Sequence, residues 1–249
     1  MKPEEYRLMY EAEQSLWWYR GMEQISRRVI EKCLGPTREL KILDAGCGTG
    51  GCFRYLSAYG RVFGIDLSRW ALHYCQGRGI PLLTRGSIAE LPFPSNFFDL
   101  VTSFDVLCTL PGEEEARAWS ELGRVLKPGG LVLLRLPACP WLRGAHDRAV
   151  DIQHRYTRDE VRRLLEKNGW QCKFLSYANM WLMPLAVVKR WSELLFPPRE
   201  ASDLAISFHW MNRLFARILS SEASLITQMS LPFGLTVVAM GKKNEDITA

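Results

Sequence analysis

Short apolar runs alternate with helical stretches along most of the sequence. The apolar runs have the length and composition of buried strands and lie at residues 40–43, 61–66, 81–84, 98–104 and 131–136. Between them, apolar residues recur at helical spacing, and Ser68 and the Thr157–Glu160 capping box mark helix starts. Because strand and helix alternate repeatedly, the pattern predicts a parallel sheet with helices on both faces.

The last third of the sequence departs from this alternation. Residues 170–177 and 233–240 have strand patterns, but about 55 residues of largely helical pattern separate them, far beyond a usual connection. We therefore expect an α/β fold with a doubly wound, mostly parallel seven-stranded sheet. The expected core is 37–178 with 232–243, and its expected additions are an N-terminal helical cap at 1–36, with one helix running through 16–19, and a helical insertion at 179–231.

Composition and charge argue against a secreted, membrane-spanning, metal-binding or nucleic-acid-binding protein. The charged start of the sequence lacks the apolar stretch of a secretory signal, so we expect a cytoplasmic protein. The apolar run 180–188 contains Pro184 and is about half the length needed to cross a bilayer, which predicts no transmembrane segment. Seven cysteines form no C-x-x-C pair, and the net charge of +5 is scattered, so we expect no metal site and no nucleic-acid partner.

A glycine-rich loop, Asp44-Ala-Gly-Cys-Gly-Thr-Gly50, follows the first predicted strand, where open α/β sheets bind ligands. Gly46, Gly48 and Gly51 also satisfy the G-x-G-x-x-G spacing of dinucleotide sites, so a nicotinamide-dependent oxidoreductase is a competing interpretation. Asp44 favours S-adenosylmethionine, because a carboxylate repels a pyrophosphate and attracts an ammonium group. Asp66, at the end of the second strand, suits the ribose hydroxyls of either ligand.

Five motifs distinguish between S-adenosylmethionine and a dinucleotide, because together they resemble a known family. The motifs are, in order, ILDAGCGTG at 42–50, GIDLS at 64–68, LPFP at 91–94, FDLV at 98–101 and RVLKPGG at 124–130. In order and spacing they resemble the class I methyltransferases of the type 11 group, most strongly over residues 38–137. The resemblance implies an enzyme that uses S-adenosylmethionine to methylate a small-molecule or lipid-linked acceptor.

The resemblance also implies a set of cofactor-binding residues. They are Asp44, Gly46, Cys47, Gly48, Asp66, Leu67, Ser87, Ile88 and Phe104. In the family pattern Asp44 and the glycines surround the methionine end, Asp66 holds the ribose, Leu67 lies beside the adenine, and Ser87 and Ile88 lie at the adenine edge. Many relatives carry an acidic residue at the position of Ser87, so we expect that contact to be weaker here or to pass to the backbone.

A second departure lies after the fourth predicted strand. Relatives often have Glu-His where this chain has Cys108-Thr109, which removes an ionisable pair near the pocket. This difference leaves open a third interpretation, a non-catalytic subunit that binds S-adenosylmethionine and assists a partner.

Methyl transfer from a sulfonium is an in-line displacement that needs a positioned acceptor, with a base only for a hydroxyl or an acidic carbon. The segment after the fifth strand resembles a His-Asp then Arg-Tyr-Thr stretch of some type 11 members, which suggests His146 as a base oriented by Asp147. The alternative is that Asp147 and His154 cap or bridge loops.

Two aromatic segments lie outside the predicted sheet. Trp17-Trp18-Tyr19-Arg20 resembles an N-terminal signature of the same subset; our hypothesis is that Trp18 or Tyr19 closes the pocket and Arg20 meets the methionine carboxylate. The alternative is that these rings attach the helix to the sheet. The late insertion carries Trp181, Met183, Trp191, Phe196, Phe208, Trp210 and Phe215. They pack on the sheet edge, or form an apolar acceptor pocket or a face for a membrane surface or partner chain.

Overall fold

A seven-stranded sheet organises the chain in this computed structural model, which describes residues 3–35, 39–144, 147–148, 150–195 and 209–245. The strands are β1 Leu40–Ala45, β2 Gly60–Asp66, β3 Leu83–Arg85, β4 Phe98–Phe104, β5 Leu126–Pro137, β6 Trp170–Ala178 and β7 Thr236–Lys243. The helices are α1 Pro3–Ser15, α2 Trp17–Leu34, α3 Phe53–Leu56, α4 Arg69–Gly77, α5 Gly112–Val125, α6 Arg158–Lys167, α7 Met183–Leu195 and α8 His209–Leu225.

The strand order is β3-β2-β1-β4-β5-β7-β6. Strands β1 to β5 pair in parallel, and β7 lies between β5 and β6, antiparallel to both. The predicted mostly parallel, seven-stranded α/β fold is therefore confirmed. Since β1, β2, β4 and β5 run in the same direction, their carboxyl ends meet at one edge, where α/β sheets bind ligands.

Each face of the sheet carries its own hydrophobic core. On one face, α2, α3 and α8 cover the strands through residues such as Met22, Leu56 and Leu219. On the other face, α5 and α6 contribute Trp119 and Leu165. The arrangement explains why these strands read as nearly continuous apolar runs, because a strand covered on both faces has no solvent side.

The N-terminal segment differs from the single helix expected through residues 16–19. Leu16 has φ −70° and ψ 133°, so α1 and α2 are separate helices. Asn212 of α8 satisfies the groups at this break: its Oδ1 accepts from the Trp17 N–H at 2.5 Å, and its Nδ2 donates to the Ser15 carbonyl oxygen at 2.7 Å. The late helix α8 thus fixes the junction between the first two helices.

The predicted helix boundaries follow local hydrogen bonding. Ser68 Oγ accepts from the backbone N–H groups of residues 70 and 71, and Thr157 and Glu160 form both bonds of a capping box. The Lys127–Gly130 turn lies just after the end of α5 and forms the first part of β5 rather than a separate loop. Among the described residues, no helix is long and apolar enough to cross a membrane.

Candidate active site

The glycine loop connects β1 to α3 at the carboxyl edge of the sheet. Gly46, Gly48 and Gly50 have φ values of 82°, 53° and 84°, a region that favours glycine. A Cβ on Gly46 would lie 2.3 Å from Val106 Cγ2, so the segment after β4 packs directly against the loop. The loop therefore needs glycine at Gly46 for two separate reasons, backbone conformation and close packing.

Asp66 ties the loop to the end of β2. One carboxylate oxygen accepts from the Gly48 N–H at 2.9 Å, and the other accepts from the Ser68 N–H at 2.8 Å. Burial raises the pKa of Asp66 above its usual value, although these two hydrogen bonds act to lower it. Because each carboxylate oxygen has more than one lone pair, Asp66 can still accept hydrogen bonds from ligand hydroxyls.

Asp44 lies deeper, with 2% of its surface exposed at the end of β1. Burial raises its pKa to about 7, while the Thr102 hydroxyl, which donates to Asp44 Oδ1 at 2.8 Å, and the charge of Arg135 lower it. The group is thus balanced between its neutral and charged forms near neutral pH. A cationic ligand group beside it would favour the carboxylate.

The other sequence-predicted cofactor residues occupy different environments. Leu67 is 67% exposed beside Asp66, whereas Ile88 packs in the core beneath α5. Ser87 Oγ accepts from the backbone N–H of Ala89 at 3.1 Å. The Cys47 thiol is buried, and its hydrogen bond with Cys75, together with that burial, raises its pKa, so it is not a reactive thiolate.

Helix α1, the first part of the N-terminal cap expected at residues 1–36, lies over the loop through contact residues that the sequence analysis had not singled out. Glu13 accepts from the Thr49 hydroxyl and from Arg78 Nη2, both at 2.6 Å, and burial raises its pKa. Met9 also contacts the loop at Gly48. Tyr6, Tyr10 and Glu13 recur at helical spacing, so periodicity could have identified this face.

The aromatic signature lies next to the same edge. The Trp18 ring is 4.8 Å from the guanidinium carbon of Arg135 and packs edge-to-face on Tyr19 at 4.9 Å. Tyr19 is largely buried, which raises its pKa above the usual range. Arg20, by contrast, is exposed and donates to the Gln14 carbonyl oxygen at 3.4 Å. Its described contacts do not join it to the glycine loop, so its role toward a methionine carboxylate stays a prediction without structural support.

Arg135 on β5 is the functional residue that sequence reasoning missed most clearly. Its side chain is only 10% exposed, its Nε donates to Asp105 Oδ2 at 2.6 Å, and its guanidinium carbon lies 4.6 Å from the Phe104 ring centre. Burial acts to lower the pKa of Arg135, but the carboxylate of Asp105 and other neighbouring groups together raise it. A single charged residue inside the apolar run 131–136 was the available signal.

The predicted base segment is only partly described. His146 lies outside the described residues. Asp147 is fully buried and accepts from the Arg155 guanidinium at 2.6 Å and from the Gly144 N–H at 2.7 Å. His154 pairs with Glu160 at 2.9 Å. These contacts favour the loop-bridging interpretation, and a catalytic role for His146 and Asp147 stays a prediction.

The insertion presents apolar side chains to solvent. Trp181 and Trp191 are exposed, as are Leu185 and Val188 on α7. Phe215 of α8 instead packs edge-to-face on Trp17, at 5.5 Å between ring centres. Phe196 and Phe208 lie outside the described residues, as does the side chain of Trp210.

Residues 43–134 match the family model described as a methyltransferase domain, Methyltransf_11. The matched segment begins in β1, includes the glycine loop, Asp66 and Asp105, and ends in β5. Residues 43–134 therefore form a methyltransferase domain of the type 11 group. The family resemblance inferred from the motifs is therefore confirmed.

Relatives of the methyltransferase domain agree with this assignment. A probable S-adenosylmethionine-dependent methyltransferase of Mycolicibacterium smegmatis is 30% identical over 161 residues, covering 62% of this chain and 60% of the relative. The 24-methylenesterol C-methyltransferase 3 of Arabidopsis thaliana is 29% identical over 186 residues, covering 70% of this chain and 47% of the relative. The chain thus spans less than two thirds of the length of each curated relative.

A solved structure supports the fold. An S-adenosylmethionine-dependent methyltransferase from Mesorhizobium loti superposes with a TM-score of 0.58 at 17% identity, covering 86% of this chain and 96% of that chain. At that level of identity, the likeness concerns the architecture and not the substrate.

Proposed function

We propose that this protein is an S-adenosylmethionine-dependent methyltransferase. The observation that carries the proposal is Asp66, whose carboxylate joins the glycine loop to the end of β2 through Gly48 and Ser68. An acid in that place accepts hydrogen bonds from ribose hydroxyls. The close contact between Gly46 and Val106 brings β4 to the same edge, where the acceptor would meet the donor.

The charges around the loop suit S-adenosylmethionine better than a dinucleotide. Glu13 and Asp105 are each paired with an arginine, Arg78 and Arg135, so the charge argument rests on Asp44. Its carboxylate disfavours a pyrophosphate, which carries two negative charges, and suits the ammonium group of S-adenosylmethionine. This charge pattern argues against the nicotinamide-dependent alternative.

The bound donor would supply a methyl group on a positively charged sulfur, open to in-line attack. The protein's own contribution is to orient the acceptor and to exclude water. Helix α1 and the pair Trp18 and Tyr19 form the cover that would exclude water. Asp147 accepts from Arg155, so a base for a hydroxyl or carbon acceptor would have to come from another residue.

We propose a small hydrophobic or lipid-linked acceptor, with residues 179–231 as its cap. One relative is named for a sterol, and the exposed apolar side chains of α7 and Trp181 suit an apolar ligand or peripheral contact with a membrane surface. A cytoplasmic location stays a prediction that cell fractionation tests.

The proposal is tested by calorimetric titration of S-adenosylmethionine and S-adenosylhomocysteine into the wild type, Asp66→Asn and the exposed control Glu90→Gln. We expect wild type and control to bind alike, and Asp66→Asn to bind at least about tenfold more weakly, because a charged acceptor is lost. A wild type that binds NADH and neither sulfur nucleoside would instead support the oxidoreductase.

Turnover is measured separately, as formation of S-adenosylhomocysteine with quinol, sterol and small polar acceptors. Activity confined to polar acceptors would contradict the hydrophobic assignment. Tight binding without turnover on any acceptor would favour the non-catalytic partner subunit.

A further inference from the structure

The guanidinium of Arg135 is largely buried, and within the described residues only one of its five N–H groups donates a hydrogen bond. Its Nε donates to Asp105, but in the described part of the chain no acceptor lies within hydrogen-bond distance of its two terminal amino groups. The side chain is nine-tenths buried, yet its unpaired terminal amino groups are not fully enclosed, so a ligand can reach them. Charged donors that are largely withdrawn from water but still reachable are suited to a charge-assisted hydrogen bond with an anionic ligand.

The surroundings define the shape of this subsite. The rings of Trp18 and Phe104 contact the guanidinium at 4.8 and 4.6 Å, and the carboxylate of Asp105 holds its Nε edge. The terminal amino groups are therefore the remaining edge for a ligand. A planar guanidinium held in this way pairs with a planar, two-oxygen anion.

Arg135 faces the proposed methyl-transfer site and not a separate surface. It pairs with Phe104 across β4 and β5, at the carboxyl edge where Val106 packs on Gly46. Its positive charge also acts on Asp44 at the end of β1. The two side chains thus present opposite charges from neighbouring strands.

The local charge selects the kind of anion. A phosphate dianion would meet one guanidinium and the nearby carboxylates of Asp44, Asp105 and Glu13, whereas a carboxylate carries a single charge and matches the guanidinium edge. Resting on the proposed function, we infer that the terminal amino groups of Arg135 bind a ligand carboxylate at the methyl-transfer site.

Two molecules at this site could supply the carboxylate. The first is the methionine end of the donor, whose ammonium and carboxylate match the opposite charges of Asp44 and Arg135. The second is an acceptor that carries its own carboxylate. Both use the same chemistry, and the arms of one experiment separate them.

The experiment compares wild type, Arg135→Met, Arg135→Lys and, as a matched control, Arg163→Met, which removes the same charge at an exposed position of α6. The first arm titrates S-adenosylhomocysteine and 5′-methylthioadenosine, which share the adenosine thioether but differ in the amino-acid end. If the donor supplies the carboxylate, Arg135→Met weakens S-adenosylhomocysteine about 10- to 100-fold and leaves methylthioadenosine unchanged. Arg135→Lys, which lacks the planar fork, weakens it less, and Arg163→Met retains binding.

The second arm titrates benzoate into the complex with S-adenosylhomocysteine, followed by NMR. If the acceptor supplies the carboxylate, all variants bind S-adenosylhomocysteine alike, and benzoate binding is lost in Arg135→Met. Equal binding of both probes to wild type and Arg135→Met, with unchanged thermal unfolding, overturns the inference and leaves the proposed function intact. A wild type that does not bind S-adenosylhomocysteine overturns the proposed function and this inference with it. Arg135→Lys serves both arms should Arg135→Met not fold.

Discussion

Replacing Asp44 by Asn should change how the stability of this protein depends on pH. Burial raises the pKa of Asp44 to about 7 from an ordinary value of 3.8. The folded protein therefore holds this proton more tightly than the unfolded chain does. The stability contributed by the protonated group is fully present below pH 4 and is lost as the pH rises through 7.

The size of the effect follows from the shift. About three pKa units, at about 1.4 kcal/mol each, correspond to roughly 4 kcal/mol lost by the wild type between pH 4 and pH 8. Asn cannot ionise and can still accept from the Thr102 hydroxyl. We expect Asp44→Asn to lack this loss, so that its free energy of unfolding rises relative to that of the wild type by about 2–4 kcal/mol between pH 4 and pH 8. Its affinity for S-adenosylmethionine should fall.

Urea unfolding at one-unit steps from pH 4 to pH 8 measures this difference directly. The exposed Glu90→Gln is the matched control, because it removes the same carboxylate charge without altering a buried site. If Asp44→Asn and the wild type lose stability in parallel as the pH rises, the raised pKa assigned to the buried Asp44 carboxyl is wrong.

Three further substitutions test the loop, its cover and the base segment. Gly46→Ala should destabilise the fold by more than about 1 kcal/mol and abolish binding of S-adenosylhomocysteine, because its Cβ would meet Val106. The control Gly77→Ala has open space around the added Cβ and should have neither effect. Calorimetry measures both the unfolding and the binding. Glu13→Gln should release S-adenosylhomocysteine several-fold faster in stopped flow, because the ion pair holding α1 on the loop is lost; an unchanged rate would contradict a covering role. Asp147→Asn should lower the unfolding free energy by about 3 kcal/mol, because the partner of a buried arginine loses its charge; a lost methylation rate at unchanged stability would restore Asp147 to catalysis.

The strands and the glycine loop could be predicted from the sequence because the patterns that indicate them are local. A strand covered on both faces is an unbroken apolar run, as in β4 and β5, and the loop needs glycine at fixed spacing. The position of β7 between β5 and β6 could not be predicted from the sequence, because apolar periodicity indicates a strand but not the strands that it pairs with.

The residues that sequence reasoning missed are those brought in from a distance. Glu13 meets Thr49 across 36 residues, and Arg135 meets Asp105 across 30. Neither carries a motif around it, and each contact depends on how an entire helix or strand docks. The break at Leu16 had the same origin, since Asn212 is 195 residues from Trp17 along the chain.

The position of β7 governs when the protein can fold during synthesis. Until residues 236–243 have left the ribosome, β5 and β6 have no partner between them. The apolar face of α2 likewise stays uncovered until α8 has been synthesised, because Leu219 of α8 packs against Gly21 of α2. A nascent chain therefore exposes an open sheet edge and an uncovered helix until α8 and β7 have been synthesised, and partly folded chains of this kind are prone to aggregate.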